Sequence, residues 1–346
     1  MDMLAAVLYG PRDVRMERVP IPEPGRGEVL VRVGAATTCG TDAKVYVRGE
    51  HPKMITPPAI FGHEFSGTVD KVGPGGSKWK RGQRVVAANS APCGRCFFCR
   101  KELPELCEDL LFMNGAYAQY ALVPERIAET NLREIPESVP FEHASLAEPL
   151  ACVVHGFEQI PVSADTTVAV NGAGPIGLFF LQLLKAAKAR VIQSDSSPGR
   201  LDIARLLGAD EVVNICGVGD QVSAVRGLTD GGRGADIAIE AVGIPEVWEK
   251  TVKMVRKGGL ALLFGGCPSG TTFRLDTASL HYDELTVKGA FHHTPRAFRR
   301  ALEMLSSGIV NAGAMITARF PLEKVADALQ MILDHRGVKS AVIPPE

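Results

Sequence analysis

"TTVAVNGAGPIGLFFLQLLKAAKARVIQSD", residues Thr166–Asp195, decides the fold. It opens on a short β-type run, turns through three glycines, continues as an apolar stretch of helical length and closes on a second β-type run, "RVIQSD". Gly172, Gly174 and Gly177 stand in G-x-G-x-x-G spacing. Alone that motif is weak, and a glycine turn without nucleotide is the simpler reading; between a strand and a helix it marks a dinucleotide site. Gly172 permits the tight turn. Gly174 lets the backbone approach a pyrophosphate at the helix N-terminus, where Pro175 and Ile176 begin the helix. Gly177 lets helix and strand pack closely. Asp195 ends the second strand where an acidic residue is expected, about 20 residues on. A carboxylate there accepts the adenine-ribose hydroxyls and repels a 2′-phosphate, so NAD is expected over NADP. Arg200 works against that expectation, because a nearby arginine accepts a phosphate; it equally fits along the adenosine of NAD.

Outward from this stretch the β-α alternation continues. "DEVVNI", a helix around "DQVSAVRGLTD", the strand "ADIAIEAVG", a helix "EVWEKTVKMVRKGG" and the strands "LALLFGG" and "ELTVKGAF" follow in turn. The pattern predicts an α/β unit with a doubly wound parallel sheet over residues 151–290. The preceding 150 residues are rich in Gly, Pro and short β-type runs such as "GEVLVRVGAATT" and "RGQRVVAANS", and predict a compact β-rich domain. The tail, 291–346, shows two helical stretches and a terminal strand, "KSAVIPP", expected to return to the first domain. The chain has 346 residues, enough for two cores, and Lys plus Arg (38) nearly balances Asp plus Glu (39). A net charge of −1 offers little to a phosphate backbone, so nucleic acid is not an expected partner. No apolar run is long enough to span a bilayer, and "MDMLAAVLYG" lacks a basic leader; a first strand and a cytoplasmic location are expected.

Half of the eight cysteines, Cys93, Cys96, Cys99 and Cys107, fall within the segment 91–110. In a reducing compartment such spacing argues for metal over disulfides, and four thiolates complete a closed tetrahedral zinc site. Buried apolar cysteines and a C-x-x-C redox pair are the competing readings, and a zinc ribbon of a nucleic-acid binder is disfavoured by the charge balance. Three further segments carry weaker signals: "TTCGTD" with Cys39, Thr41 and Asp42; "GHEFSG" with His63 and Glu64; and "LAEPLACVVHG" with Glu148. Beside a nicotinamide fold they point to an open catalytic zinc site, which takes about three protein ligands and leaves one position free.

In their order, "CGTD", "GHEFSG", the four-cysteine segment, "EPLACVVHG" and "GAGPIG" resemble the zinc-dependent medium-chain dehydrogenases over nearly the whole chain. The resemblance implies a GroES-like catalytic domain (1–150) with a Rossmann domain (151–290) and a C-terminal segment (291–346) that rejoins the first. It implies two zinc ions per chain. Cys39, His63 and Glu148 would hold the catalytic one, with Glu64 a fourth or exchanging ligand and Asp42 orienting His63. Cys93, Cys96, Cys99 and Cys107 would hold the structural one. Thr41 would take the alcohol proton. Phe264, Gly265, Gly266, Phe291 and His292 align with segments that border the nicotinamide, and Val242 and Gly243 end another strand on the cofactor edge.

Two departures bear on mechanism. Lys44 stands where many relatives carry a relay histidine; it is expected either to move protons or to contact the pyrophosphate, with His51 as the alternative relay. His292 replaces an arginine typical of the sorbitol branch, while Glu148 favours the polyol and threonine side of the family. The expectation is a zinc- and NAD-dependent dehydrogenase of a small polar secondary alcohol, giving a ketone, assembled as a homodimer or homotetramer. The rivals are a metal-independent quinone-reductase-like enzyme and a non-catalytic NAD-binding protein.

Overall fold

The computed structural model describes residues 1–50, 54–75 and 77–345. They form two compact units: Met1–Ala151 with His293–Gly308 and Met315–Glu346, and Cys152–His292 with Ile309–Ala314.

The first unit is built on a seven-stranded sheet. Its central strand, Val29–Thr37, pairs antiparallel with Glu64–Val72 on one side and with the terminal strand Lys339–Ile343 on the other. Tyr120–Val123 also pairs with the Val29–Thr37 strand. Val29, Val31, Val33, Phe65, Val85 and Val342 from this sheet are buried with Tyr117, Ile127 and Leu329 in one core. Burial of each such side chain contributes roughly 1.5–3 kcal/mol. The tail therefore contributes its terminal strand to this sheet, while its residues Ile309–Ala314 belong to the second unit. It also contains a strand that the sequence reading missed, Ile316–Pro321, which runs parallel to Lys339–Ile343. Its inward residues alternate, but the run is short and ends on Pro321, which hides the period.

The second unit holds a six-stranded parallel sheet in the order Glu211–Asn214, Arg190–Asp195, Thr167–Asn171, Ala235–Glu240, Val255–Leu263, Thr286–Gly289. Numbered along the chain this is 3-2-1-4-5-6, the dinucleotide-binding order, with its switch point between Thr167–Asn171 and Ala235–Glu240. One expected helix is shorter than predicted. It stops at Met254, and "VRKGG" opens the strand Val255–Leu263 instead. Gly258 takes φ 68°, and two successive glycines are poor helix formers. Among the described residues no helix is long and apolar enough to cross a membrane.

Candidate functional site

Cys39 caps the helix Gly40–Arg48, and its Sγ accepts the Thr41 amide at 3.4 Å. Asp42, in the first turn of that helix, accepts the Cys39 amide at 3.3 Å. The same carboxylate binds His63 Nδ1 at 2.8 Å and accepts the Tyr117 hydroxyl at 2.6 Å. Asp42 and His63 are buried, at 1% and 3% exposure. With Nδ1 tied to Asp42, the imidazole is oriented so that Nε2 is its ligating atom. Burial opposes the imidazolium, but Asp42 outweighs it, and the His63 pKa lies well above its ordinary value. Burial and then Asp42 likewise raise the Tyr117 hydroxyl.

Glu64 opens the strand after His63 and is fully buried. Its Oε2 accepts from Thr37 Oγ1 and from Lys339 Nζ, and Lys339 also donates to the Thr38 carbonyl at 2.8 Å. Burial works against the Lys339 cation; Glu64 and Cys39 overcome it and raise its pKa. Glu64 Oε1 is buried and, among the described residues, has no hydrogen-bond partner. Ligand atoms of Cys39, His63 and Glu64 lie within 4.8 Å of one another. One cysteine sulfur, one imidazole and one carboxylate, with ligand atoms converging, form a donor set that fits zinc. Glu148 stands in the first turn of the helix Ala147–Phe157 and is 4% exposed. Burial pushes its pKa up to about 7, with His63 pulling down and Glu64 pushing up, so its charge belongs to the same electrostatic field. Thr41 lies on the first turn of the capped helix, and Lys44 is exposed one turn on. His51 lies outside the described residues.

The second donor set is local. Cys96 Sγ and Cys107 Sγ are 3.8 Å apart. Two thiolates on one tetrahedral zinc at about 2.3 Å would stand about 3.8 Å apart. Ligand atoms of Cys93, Cys96, Cys99 and Cys107 all fall within 4.8 Å of each other. Main-chain amides favour the thiolate form at two of the four: Cys93 Sγ accepts from Arg95 and Cys96, and the amides of Cys99 and Glu108 bring Cys96 down to about 6, whereas burial pushes Cys99 up to about 12 and raises Cys107.

In the second unit Gly172 adopts φ 98°, and a Cβ on Gly177 would lie 1.8 Å from the Gly172 carbonyl oxygen. Pro175 and Ile176 open the helix Pro175–Ala186. Above Gly174 there is room: a Cβ there meets only the Arg200 guanidinium, at 3.9 Å. Asp195 accepts the Ala173 amide at 2.6 Å and the Ser197 amide at 2.8 Å. It thus braces the turn with two of its lone pairs. Burial lowers the Arg200 pKa, against the pull of Asp195. Val242 and Gly243 follow the strand ending at Glu240, and Phe264, Gly265 and Gly266 follow the strand ending at Leu263. The Phe264 ring packs edge-on against Phe180 of the glycine-turn helix, with centroids 5.1 Å apart. Phe291 is 55% exposed, and His292 takes φ 59°.

Residues 25–133 match the alcohol dehydrogenase GroES-like domain, and residues 175–307 match the zinc-binding dehydrogenase domain. The chain is 31% identical to sorbitol dehydrogenase of Bacillus subtilis strain 168, over 97% of this chain and 95% of that one. The chain belongs to the zinc-type medium-chain alcohol and polyol dehydrogenases. As a member it is a zinc-dependent oxidoreductase of the alcohol-to-ketone class. It is 33% identical to the erythritol/L-threitol dehydrogenase of Mycolicibacterium smegmatis, covering 99% of this chain and 98% of the other. Among solved structures, a Sinorhizobium meliloti 1021 protein bound to NADP superposes with TM-score 0.91 at 32% identity, over 99% of this chain and 100% of that chain.

Several residues of this dehydrogenase escaped the sequence reading. Lys339 and Thr37 reach Glu64 from strands, and Tyr117 reaches Asp42 from a loop. The one available signal for Lys339 was a charge opening an otherwise apolar strand, "KSAVI". Glu240 was read only as part of a strand. Burial raises its pKa against the amides of Gly243, Val242 and Gly265.

Proposed function

We propose that this dehydrogenase oxidises a small polar secondary alcohol, of the polyol, vicinal-diol or threonine type, with NAD as acceptor and two zinc ions per chain. The convergence of ligand atoms from Cys39, His63 and Glu64 carries the reading, and Glu64 Oε1, buried and unpartnered among the described residues, supports it. A metal-independent enzyme has no use for that donor set, and the named relatives are dehydrogenases of sorbitol, erythritol or L-threitol, and L-threonine.

Cys39, His63 and Glu148 would hold the catalytic zinc, with Glu64 a fourth or exchanging ligand, and the four clustered cysteines the structural one. Zinc supplies Lewis-acid polarisation of the substrate oxygen, and the nicotinamide supplies the hydride acceptor. Asp42 keeps the His63 ring in register, and Tyr117 holds Asp42 in turn. Thr41 Oγ1 takes the hydroxyl proton as it releases its own, and Lys44, exposed one turn on, either meets the pyrophosphate or, in its neutral amine form, carries that proton to solvent. Gly172, Gly174 and Gly177 with Pro175 and Ile176 hold the pyrophosphate at the helix N-terminus. Asp195 holds the ribose, and Arg200 lies along the adenosine. Val242, Gly243, Phe264, Gly265, Gly266, Phe291 and His292 border the nicotinamide. A cytoplasmic homo-oligomer completes the proposal: the cysteine-rich metal lobe supports the reducing compartment, and the oligomer rests on the family resemblance alone.

The test is NADH formation by zinc-replete protein on pentitols, hexitols, 2,3-butanediol and L-threonine, repeated with NADP. Turnover in one class, lost in Cys39→Ala, supports the reading. Preference for NADP overturns the role given to Asp195. Silence in both directions, with NAD still bound, favours the non-catalytic reading.

A further inference from the structure

The two turns that follow the fourth and fifth strands of the parallel sheet are tied together by one buried side chain. Glu240, the last residue of its strand and 0% exposed, sends its carboxylate sideways. Oε1 accepts the Val242 amide at 2.8 Å and the Gly243 amide at 2.7 Å; Oε2 accepts the Gly265 amide at 3.1 Å. Trp248 Nε1 donates to the Gly265 carbonyl at 3.0 Å from the other side. The junction has no slack. A Cβ on Gly265 would stand 2.4 Å from the Gly243 nitrogen, and one on Gly243 would stand 2.6 Å from the Gly266 oxygen. The first of these turns also abuts the glycine fingerprint, since a Cβ on Gly172 would meet Val242 Cγ2 at 2.9 Å.

A buried carboxylate is costly to keep unless something uses it. A sheet of this order binds a dinucleotide along the carboxyl ends of its strands, across the switch point. The fingerprint turn and Asp195 sit on the first half, with the adenosine. The Glu240 turns close the second half, where the nicotinamide must lie. We infer that Glu240 is a positioning residue for the nicotinamide half of the cofactor: its two oxygens lock the Val242–Gly243 and Gly265–Gly266 turns at the one spacing that seats the ring. The inference rests on the dinucleotide reading above.

Glu240→Gln removes one acceptor and adds a donor, so in either orientation of the amide at least one of the three N–H groups faces another donor. Asp195, the contact assigned to the adenine ribose, is untouched. Titration calorimetry on the full zinc-replete chain with NAD+ and with ADP-ribose, which lacks the nicotinamide, separates the halves. The expected result is a Kd for NAD+ raised about tenfold, with ADP-ribose within twofold of wild type. Equal weakening of both ligands, or no change in either, overturns the inference. Failure of wild type to bind ADP-ribose or NAD+ at all would instead sink the dinucleotide reading itself. Should the variant not fold, hydrogen exchange on the wild-type chain decides. NAD+ must protect the segments 241–248 and 263–268 together, and more than ADP-ribose does; protection of one alone, or of neither, overturns the inference.

Discussion

Lys339→Met probes the deepest electrostatic commitment in the first unit. Lys339 and Glu64 are 1% and 0% exposed at their side chains. Removing the cation leaves Glu64 Oε2 with only the Thr37 hydroxyl, and strips the Thr38 carbonyl of its donor. Breaking one partner out of a buried pair costs about 3–5 kcal/mol, because the other charge stays behind uncompensated. For a unit of this size each kcal/mol moves the melting temperature by about 2–4 °C, so a fall of roughly 6–20 °C is expected. Glu64→Gln alone strands the ammonium and should cost a similar amount. In the double variant neither charge remains, and a methionine packs where the lysine stem lay. The double variant should therefore recover at least about 2 kcal/mol relative to the sum of the singles. The assay is chemical denaturation of the four proteins in the presence of a chelator, so that metal binding does not contribute. Additive losses, or a single-variant cost below about 1 kcal/mol, would refute the claim that the pair is closed and dry.

Three other perturbations follow from the geometry. Gly177→Ala drives a Cβ to 1.8 Å from the Gly172 oxygen, a backbone clash that no side-chain rotation relieves. It should abolish detectable NAD+ binding in calorimetry and lower stability by about 2 kcal/mol; native affinity would disprove the tight-turn account. Cys96→Ser should reduce zinc content, measured by plasma emission, from about two to about one per chain while the Cys39 site stays loaded; unchanged content would remove Cys96 from the metal set. Asp210 is pulled up by burial but more strongly down by Lys185 Nζ and the Val191 amide, each 2.7 Å from Oδ2, so its pKa lies below the ordinary value. Its stabilisation is therefore complete above about pH 4 and is lost as pH falls through the lower folded-state value. The stability gap between wild type and Asp210→Asn should close in acid, and a gap that persists at pH 2 would contradict the assignment.

What the sequence determined by itself is whatever the chain does over short distances. The glycine fingerprint, the strand that ends at Asp195 and the four-cysteine segment are each contained within about thirty residues, and steric and ligand-spacing rules act at that range. The helix cap that places Cys39 beside Asp42 is of the same kind, since both lie within one turn. The tertiary structure alone decided which partners those residues keep. Lys339 reaches Glu64 across 275 positions because the terminal strand joins the sheet beside Val29–Thr37. Tyr117 reaches Asp42 across 75 positions for the same sort of reason. Glu240 looked like one more strand residue, because what gives it consequence is a turn 25 positions away that parallel pairing brings alongside. Strand pairing has no local code for such neighbours. A period of two announces which face a residue takes, but not whose strand it will lie against.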